Sequence, residues 1–153
     1  MARKMISDEQ ILNCFKAGLD CSQVVAMQWA EEFGYDEEEA ARMTAAFGGG
    51  MFRGDTCGAV GGSMVVLGWK YGHGAPGEFS KKEQLMRKVT EFQQKFTAKR
   101  GCLICRELTG FDFSKPGQLE AALKAGKLFS FCPGVVQDAL AVLDEVMTEE
   151  AVA

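Results

Sequence analysis

The sequence predicts an all-α fold, a single-domain helical bundle of about seven or eight helices over residues 1–153, and three observations predict it. Helix-start signals recur along the chain, apolar residues repeat at three- and four-residue intervals, and strict strand-like alternation is missing almost everywhere. At 153 residues, 47% hydrophobic and 25% charged, the chain can bury a substantial core and lacks the composition of a disordered segment.

The elements follow in order. Ser7-Asp8-Glu9-Gln10 has the form of a capping box, and Ile11, Phe15 and Leu19 share one face, predicting a helix over 7–18. Asp20-Cys21-Ser22-Gln23 repeats the signal and opens a helix over 20–33. Asp36-Glu37-Glu38-Glu39 opens 36–47 and puts negative charge at the positive end of the helix dipole. After the glycine-rich run Gly48–Thr56 comes a helix over 57–71, then the loop Tyr71–Gly77. Ser80-Lys81-Lys82-Glu83 has the capping form again, and Leu85, Val89, Phe92 and Phe96 line one face of a helix over 80–99. Shorter helices are expected over 102–109 and 116–125. Val136, Leu140, Leu143 and Met147 predict the last, over 132–148.

Composition excludes several functions. A net charge of −4 lacks the basic excess of a nucleic-acid binder. The amino terminus has no apolar leader, and no segment approaches the roughly 20 apolar residues of a bilayer span. A cytoplasmic protein with no membrane association is the expectation, and there the six cysteines are read as reduced. The glycine-rich run is no phosphate cradle, because no Gly-Lys-Ser/Thr follows it. His73 sits alone in a Gly/Pro loop, so no hydrolytic triad is visible and no catalytic residue is assigned. Met27, Met43, Met64, Met86 and Met147 fall at helical positions and read as core. The lysines and arginines of 80–99 read as a solvated face, since Glu83 and Glu91 are interleaved.

The cysteines carry the informative pattern. Cys21 follows Asp20, Cys57 follows Thr56, Cys132 precedes Pro133, and Cys102 and Cys105 follow the Lys99-Arg100-Gly101 break. Each therefore falls at a helix start, where unpaired N–H groups and the dipole favour thiolate, the form that ligates metals and attacks disulfides. Cys14 lies mid-helix, between Ile11 and Phe15, and reads as a small core hydrophobe. Gly58, Gly61 and Gly62 inside a helix each cost about 1 kcal/mol against alanine, which implies close approach of another helix or a cofactor.

With Cys21, the block Cys57-Gly58-Ala59-Val60-Gly61-Gly62, Cys105 and Cys132 in view, the chain resembles the redox-active proteins named for a C–GCAxxG–C–C cysteine pattern. The likeness runs from about Phe15 to about Val142. It includes Phe47–Met51, Val66–Gly72 and Cys105–Gly110. Here the block reads Cys-Gly-Ala rather than Gly-Cys-Ala, and Cys14 and Cys102 are additional to the four. The resemblance implies a helical fold and a redox role, with Cys21, Cys57, Cys105 (or Cys102 in its place) and Cys132 as ligands of an iron–sulfur cluster. It also extends to the cysteine-rich domain of split-Soret cytochromes. No haem is expected, because Arg106 rather than histidine follows Cys102-Leu103-Ile104-Cys105.

Three functional expectations stand side by side. One is a four-thiolate cluster of the [2Fe–2S] kind for electron transfer or redox sensing, with main chain at Gly49, Gly50 and Gly58 approaching the sulfurs. Another is a metal-free thiol/disulfide oxidoreductase using Cys102 and Cys105, near Lys99 and Arg100. The last is a structural zinc module on the same four cysteines, with a plain interaction module as the unreactive limit. A redox partner protein is expected for the first, and a homodimer is the commonest alternative to a monomer.

Overall fold

The computed structural model describes residues 5–148, and among these there is no strand, only the isolated bridge Thr56–Ile104. The reading of residues 1–4 and the last residues of the expected domain, 149–153, lie outside the described residues. The α-helices are α1 (Asp8–Lys16), α2 (Cys21–Trp29), α3 (Glu37–Thr44), α4 (Gly58–Tyr71), α5 (Phe79–Arg100), α6 (Cys105–Thr109), α7 (Gln118–Ala125), α8 (Lys127–Ser130) and α9 (Cys132–Thr148). The all-α expectation holds; the extra element is α8, a single turn between Gly126 and Phe131.

Two predicted boxes close as drawn. Ser7 N–H donates to the Gln10 side chain at 2.8 Å while Gln10 N–H donates to Ser7 Oγ at 3.1 Å, and Asp36 and Glu39 do the same for α3. The box expected at Ser80 does not form. The helix begins one residue earlier, with Glu78 as its cap, and the Glu78 carboxylate instead accepts from Gly74 N–H (2.8 Å) and Ala75 N–H (2.7 Å). That ties the Gly/Pro loop to the helix it precedes.

Two expected helices end early. The 20–33 helix stops at Trp29 and tightens into a 3₁₀ turn, Glu31–Phe33, ended by Gly34 at φ +84°. The 36–47 helix stops at Thr44 and likewise passes into a 3₁₀ turn, Ala45–Phe47. The 102–109 helix starts only at Cys105, so Cys102 is not in its first turn.

Helix α4 is packed by α2, α5 and α9. Its glycines explain the close approach: a Cβ at Gly62 would run into the Ser22 carbonyl oxygen and lie 3.0 Å from Ser22 Cα. Val60, Val66 and Leu67 of α4 meet Val24 and Val25 of α2, Phe92 and Phe96 of α5, and Leu140 and Leu143 of α9, all fully buried. Lys88, only 7% exposed, donates to Val146 O (2.9 Å) and Lys70 to Met147 O (3.0 Å), so two cations satisfy carbonyls at the end of α9. The basic face of α5 is solvated at Lys81, Lys82, Arg87 and Lys99, while Lys88 is buried and Lys95 is half-buried against Glu91 and Glu145. The methionine reading needs correction too: Met147 is buried, but Met43 and Met86 point outward. Among the described residues no single helix is long and apolar enough to cross a membrane.

Candidate functional site

Four elements deliver one cysteine each to the same place. Cys21 and Cys132 are the first residues of α2 and α9, Cys57 is the residue before α4, and Cys105 opens α6. All four line one cavity of about 320 Å³. Cys102 does not line it; its thiol faces Ile104 O at 3.9 Å, a weak contact at most. Cys14 packs at the edge of the core, as expected.

Short backbone pairings hold Cys57 and Cys105 together. The Thr56–Ile104 bridge lets Cys57 N–H donate to Leu103 O (2.7 Å) and Cys105 N–H to Asp55 O (2.6 Å). Arg106 pins the neighbouring turn by donating to Gly54 O (3.2 Å) and pairing with the Asp55 carboxylate (2.9 Å). That turn is the glycine-rich run, and its geometry is unusual. Gly49, Gly50, Met51 and Phe52 follow one another in left-handed conformation, with φ of 59°, 63°, 60° and 57°. For Met51 and Phe52 this costs about 1–2 kcal/mol each, because Cβ crowds the following carbonyl. Strain of this kind persists only where surrounding structure over-determines it, and it concentrates at functional sites.

The three glycines singled out in the sequence all touch this arrangement. The Gly49 main chain comes near enough to the Cys21 thiol to draw its pKa down in part. A Cβ at Gly50 would lie 2.9 Å from Cys105 Cβ and 2.5 Å from Asp55 N. A Cβ at Gly58 would run into the Cys21 sulfur. Only glycine lets the main chain close on the thiols this way.

Electrostatics reverse one expectation. Helix-start placement argued for lowered thiol pKa values, yet burial outweighs it. The Cys21 thiol is pushed well up, first by the hydrogen bond it shares with Cys57 and then by burial. Cys105 is pushed up to about 12 by burial and by the nearby Cys21, with the Thr109 hydroxyl partly offsetting this. Cys132 is also pushed up to about 12, by burial and by Cys21 and Cys105, against the opposing charges of Lys127 and Arg100. In the protein alone these thiols are neutral.

Sequence reasoning missed two parts of the site. Asp20, read only as a helix cap, lines the cavity; a Cβ at Gly48 would lie 2.5 Å from its carboxyl carbon, and burial raises its pKa. The cavity also has an apolar wall that no motif announced, including Phe52, Phe113, Leu119, Leu123 and Phe129. The available signal was an apolar surplus in 111–131 with no core face to absorb it.

All four lining cysteines are soft sulfur donors, and glycine backbone closes on two of them, at Gly50 and Gly58. That set fits a thiolate-bound inorganic core. Among the described residues no three His, Cys, Asp or Glu side chains are grouped closely enough to hold a metal ion.

No match was found among curated proteins or among solved structures. Residues 19–146 match the family described as "Putative redox-active protein (C_GCAxxG_C_C)". That span contains Cys21, Cys57, Cys105 and Cys132 together with the turn and helices that position them, and the chain belongs to this family of redox-active proteins.

Proposed function

We propose that Cys21, Cys57, Cys105 and Cys132 hold an iron–sulfur cluster, of the [2Fe–2S] kind, and that the protein transfers or senses single electrons. The observation that carries this reading is the delivery of four thiols, from four separate elements, to one cavity. When bound, a cluster supplies a one-electron couple whose potential follows from hydrogen bonds to sulfur and from solvent exposure. The chain's own part is to line the site with phenylalanines and leucines and to bring the Gly49 main chain beside Cys21. A redox partner protein completes the electron path, and a reducing compartment such as the cytoplasm keeps the ligands free.

The test is anaerobic purification, a visible spectrum, and iron and acid-labile sulfide measured on one sample. Charge-transfer bands are expected, lost in single Cys→Ser variants at the four cavity positions and kept in Cys14→Ser and Cys102→Ser. A colourless protein after reconstitution, or equal loss of colour in Cys102→Ser, would remove the assignment.

One observation favours a second reading. Cys21 and Cys57 line one cavity and Cys57 is the first cause of the raised Cys21 pKa, so this pair stands beside the sequence-based pair Cys102 and Cys105 as a candidate for a disulfide. Under that reading the protein is a metal-free dithiol couple. Oxidation by a low-molecular-weight disulfide would join the two sulfurs and pass two electrons and two protons to the oxidant, releasing two thiols. A colourless protein that yields a Cys21–Cys57 crosslinked peptide would establish it.

A further inference from the structure

The cavity has more apolar wall than four thiols use. Opposite the cysteines it is lined by side chains of three separate segments: Phe52 of the left-handed turn, Phe113 after α6, and Leu119, Leu123 and Phe129 of α7 and α8. Several of these are exposed although large and apolar, with Phe52 at 59%, Leu119 at 53% and Leu123 at 45%. Scattered exposed leucines mean little, but a ring of them around one concave opening marks a ligand site.

The aromatic part is placed deliberately. Phe52 keeps a left-handed backbone that its side chain disfavours, and Phe52 and Phe113 rings flank Gly49. A Cβ there would meet the Phe113 ring at 3.5 Å and the Phe52 ring at 3.7 Å. Two rings that meet beside Gly49 on the wall of one cavity offer faces and edges to another flat π-system.

The polar part is as informative. No lysine, arginine or histidine lines the cavity, and its one ionisable side chain besides the thiols is the acid Asp20. An anionic ligand would therefore leave water without a counter-charge, which is costly. The Thr109 hydroxyl is already committed to Cys105 O at 2.8 Å, so apart from the thiols the Asp20 carboxyl is the side-chain anchor left for a polar ligand. A volume of about 320 Å³ is at the small end for ligand sites.

We propose that this apolar wall binds a small, uncharged, flat aromatic molecule of one or two rings, seated against Phe52 and Phe113 and bordered by Leu119, Leu123 and Phe129. Binding needs the wall alone and stands whether or not the thiols carry a cluster.

The experiment titrates 2-naphthol, followed by its fluorescence, into anaerobically purified protein before and after cluster reconstitution. Saturable one-to-one binding is expected in at least one of these forms. Affinity should fall about tenfold or more for 2-naphthalenesulfonate, and about tenfold or more for 2-naphthol with Leu123→Asp, since each puts an unpaired charge against the wall. Met86→Asp, at an exposed position of α5 outside the cavity, should bind as the parent does. Leu123 is half-exposed, so its variant should keep the parent urea midpoint; if it does not, Phe129→Asp serves instead. No saturation up to the solubility limit in either form, equal affinity for the sulfonate, or parent-like binding by the folded wall variant would overturn the proposal. A colourless protein that still binds 2-naphthol would sink the cluster reading and uphold this one.

Discussion

Helix α4 allows the same substitution, glycine to alanine, to be tried twice in one helix with opposite outcomes. At Gly68 an added Cβ meets nothing within 4 Å. Alanine there gains the helix propensity that glycine forgoes, about 1 kcal/mol. At Gly62 the same gain is available, but the Cβ would overlap the carbonyl oxygen of Ser22 and lie 3.1 Å from its carbon. Those are main-chain atoms of a packed helix, and no rotamer change can clear them. Overpacking costs about 1–3 kcal/mol, and a backbone obstacle puts Gly62 at the upper end. The net for Gly62→Ala is then a loss of about 2 kcal/mol, and the two variants should differ by about 3 kcal/mol. With a urea slope of about 2 kcal/mol/M, their unfolding midpoints should separate by about 1.5 M. Their melting temperatures should separate by about 6–12 °C for a chain of this size. Urea unfolding followed by circular dichroism on parent, Gly62→Ala and Gly68→Ala is the assay. Midpoints within about 0.3 M of each other, or Gly62→Ala the more stable, would refute the claim that α2 and α4 touch through backbone.

Other outcomes follow from single contacts. Lys88→Met keeps the buried stem but removes the donor to Val146 O, and should cost about 1–3 kcal/mol by urea unfolding; Lys70→Met, at a more exposed end of the same helix cap, should cost under about 1 kcal/mol. Glu78 is held at about 2, first by Lys81 and then by the Gly74 and Ala75 N–H groups, against an ordinary 4.5. Its folded pKa is depressed, so its contribution is present above about 4.5 and is lost as pH falls through about 2. Glu78→Gln should therefore lower the urea midpoint at neutral pH and match the parent near pH 2; a constant difference across that range would contradict the assignment. Cys14→Ala should cost about 1 kcal/mol or less and leave any visible absorbance intact, because Cys14 only packs against the core.

What could be read from the sequence follows a physical line. Ser7 with Gln10 and Asp36 with Glu39 were legible because both halves of each box are local, three residues apart. Ser80 misled for the same reason: the pattern was present, but Glu78 found better partners in the loop before it. The faces of α5 and α9 were legible because burial repeats with the helical period, so Phe92, Phe96, Leu140 and Leu143 had only one place to go. Met43 and Met86 fit the same period and still lie outside, since methionine tolerates either setting. The left-handed turn was not legible. Nothing local favours φ near +60° at Met51 or Phe52, and the conformation is held by distant partners such as Arg106 on Gly54 O and Asp55.

The site separates along the same line, and the separation explains why the thiol pKa argument failed. Placing cysteines at helix starts is a local inference, and it put Cys21, Cys57, Cys105 and Cys132 at or beside the beginnings of α2, α4, α6 and α9. A helix end, however, contributes only about 0.3–1 kcal/mol, well under one pKa unit in most settings. Burial of a thiol can move its pKa by several units in the other direction. Whether those ends face water or each other is set by the packing of α2, α4 and α9, which no residue near a cysteine encodes. Four helix starts turned inward bring their thiols to one cavity, and Cys105 and Cys132 are driven to about 12 by burial first and then by Cys21. The local rule placed Cys21, Cys57, Cys105 and Cys132 at or beside helix starts; the tertiary arrangement turned those ends inward and raised the pKa values of Cys21, Cys105 and Cys132.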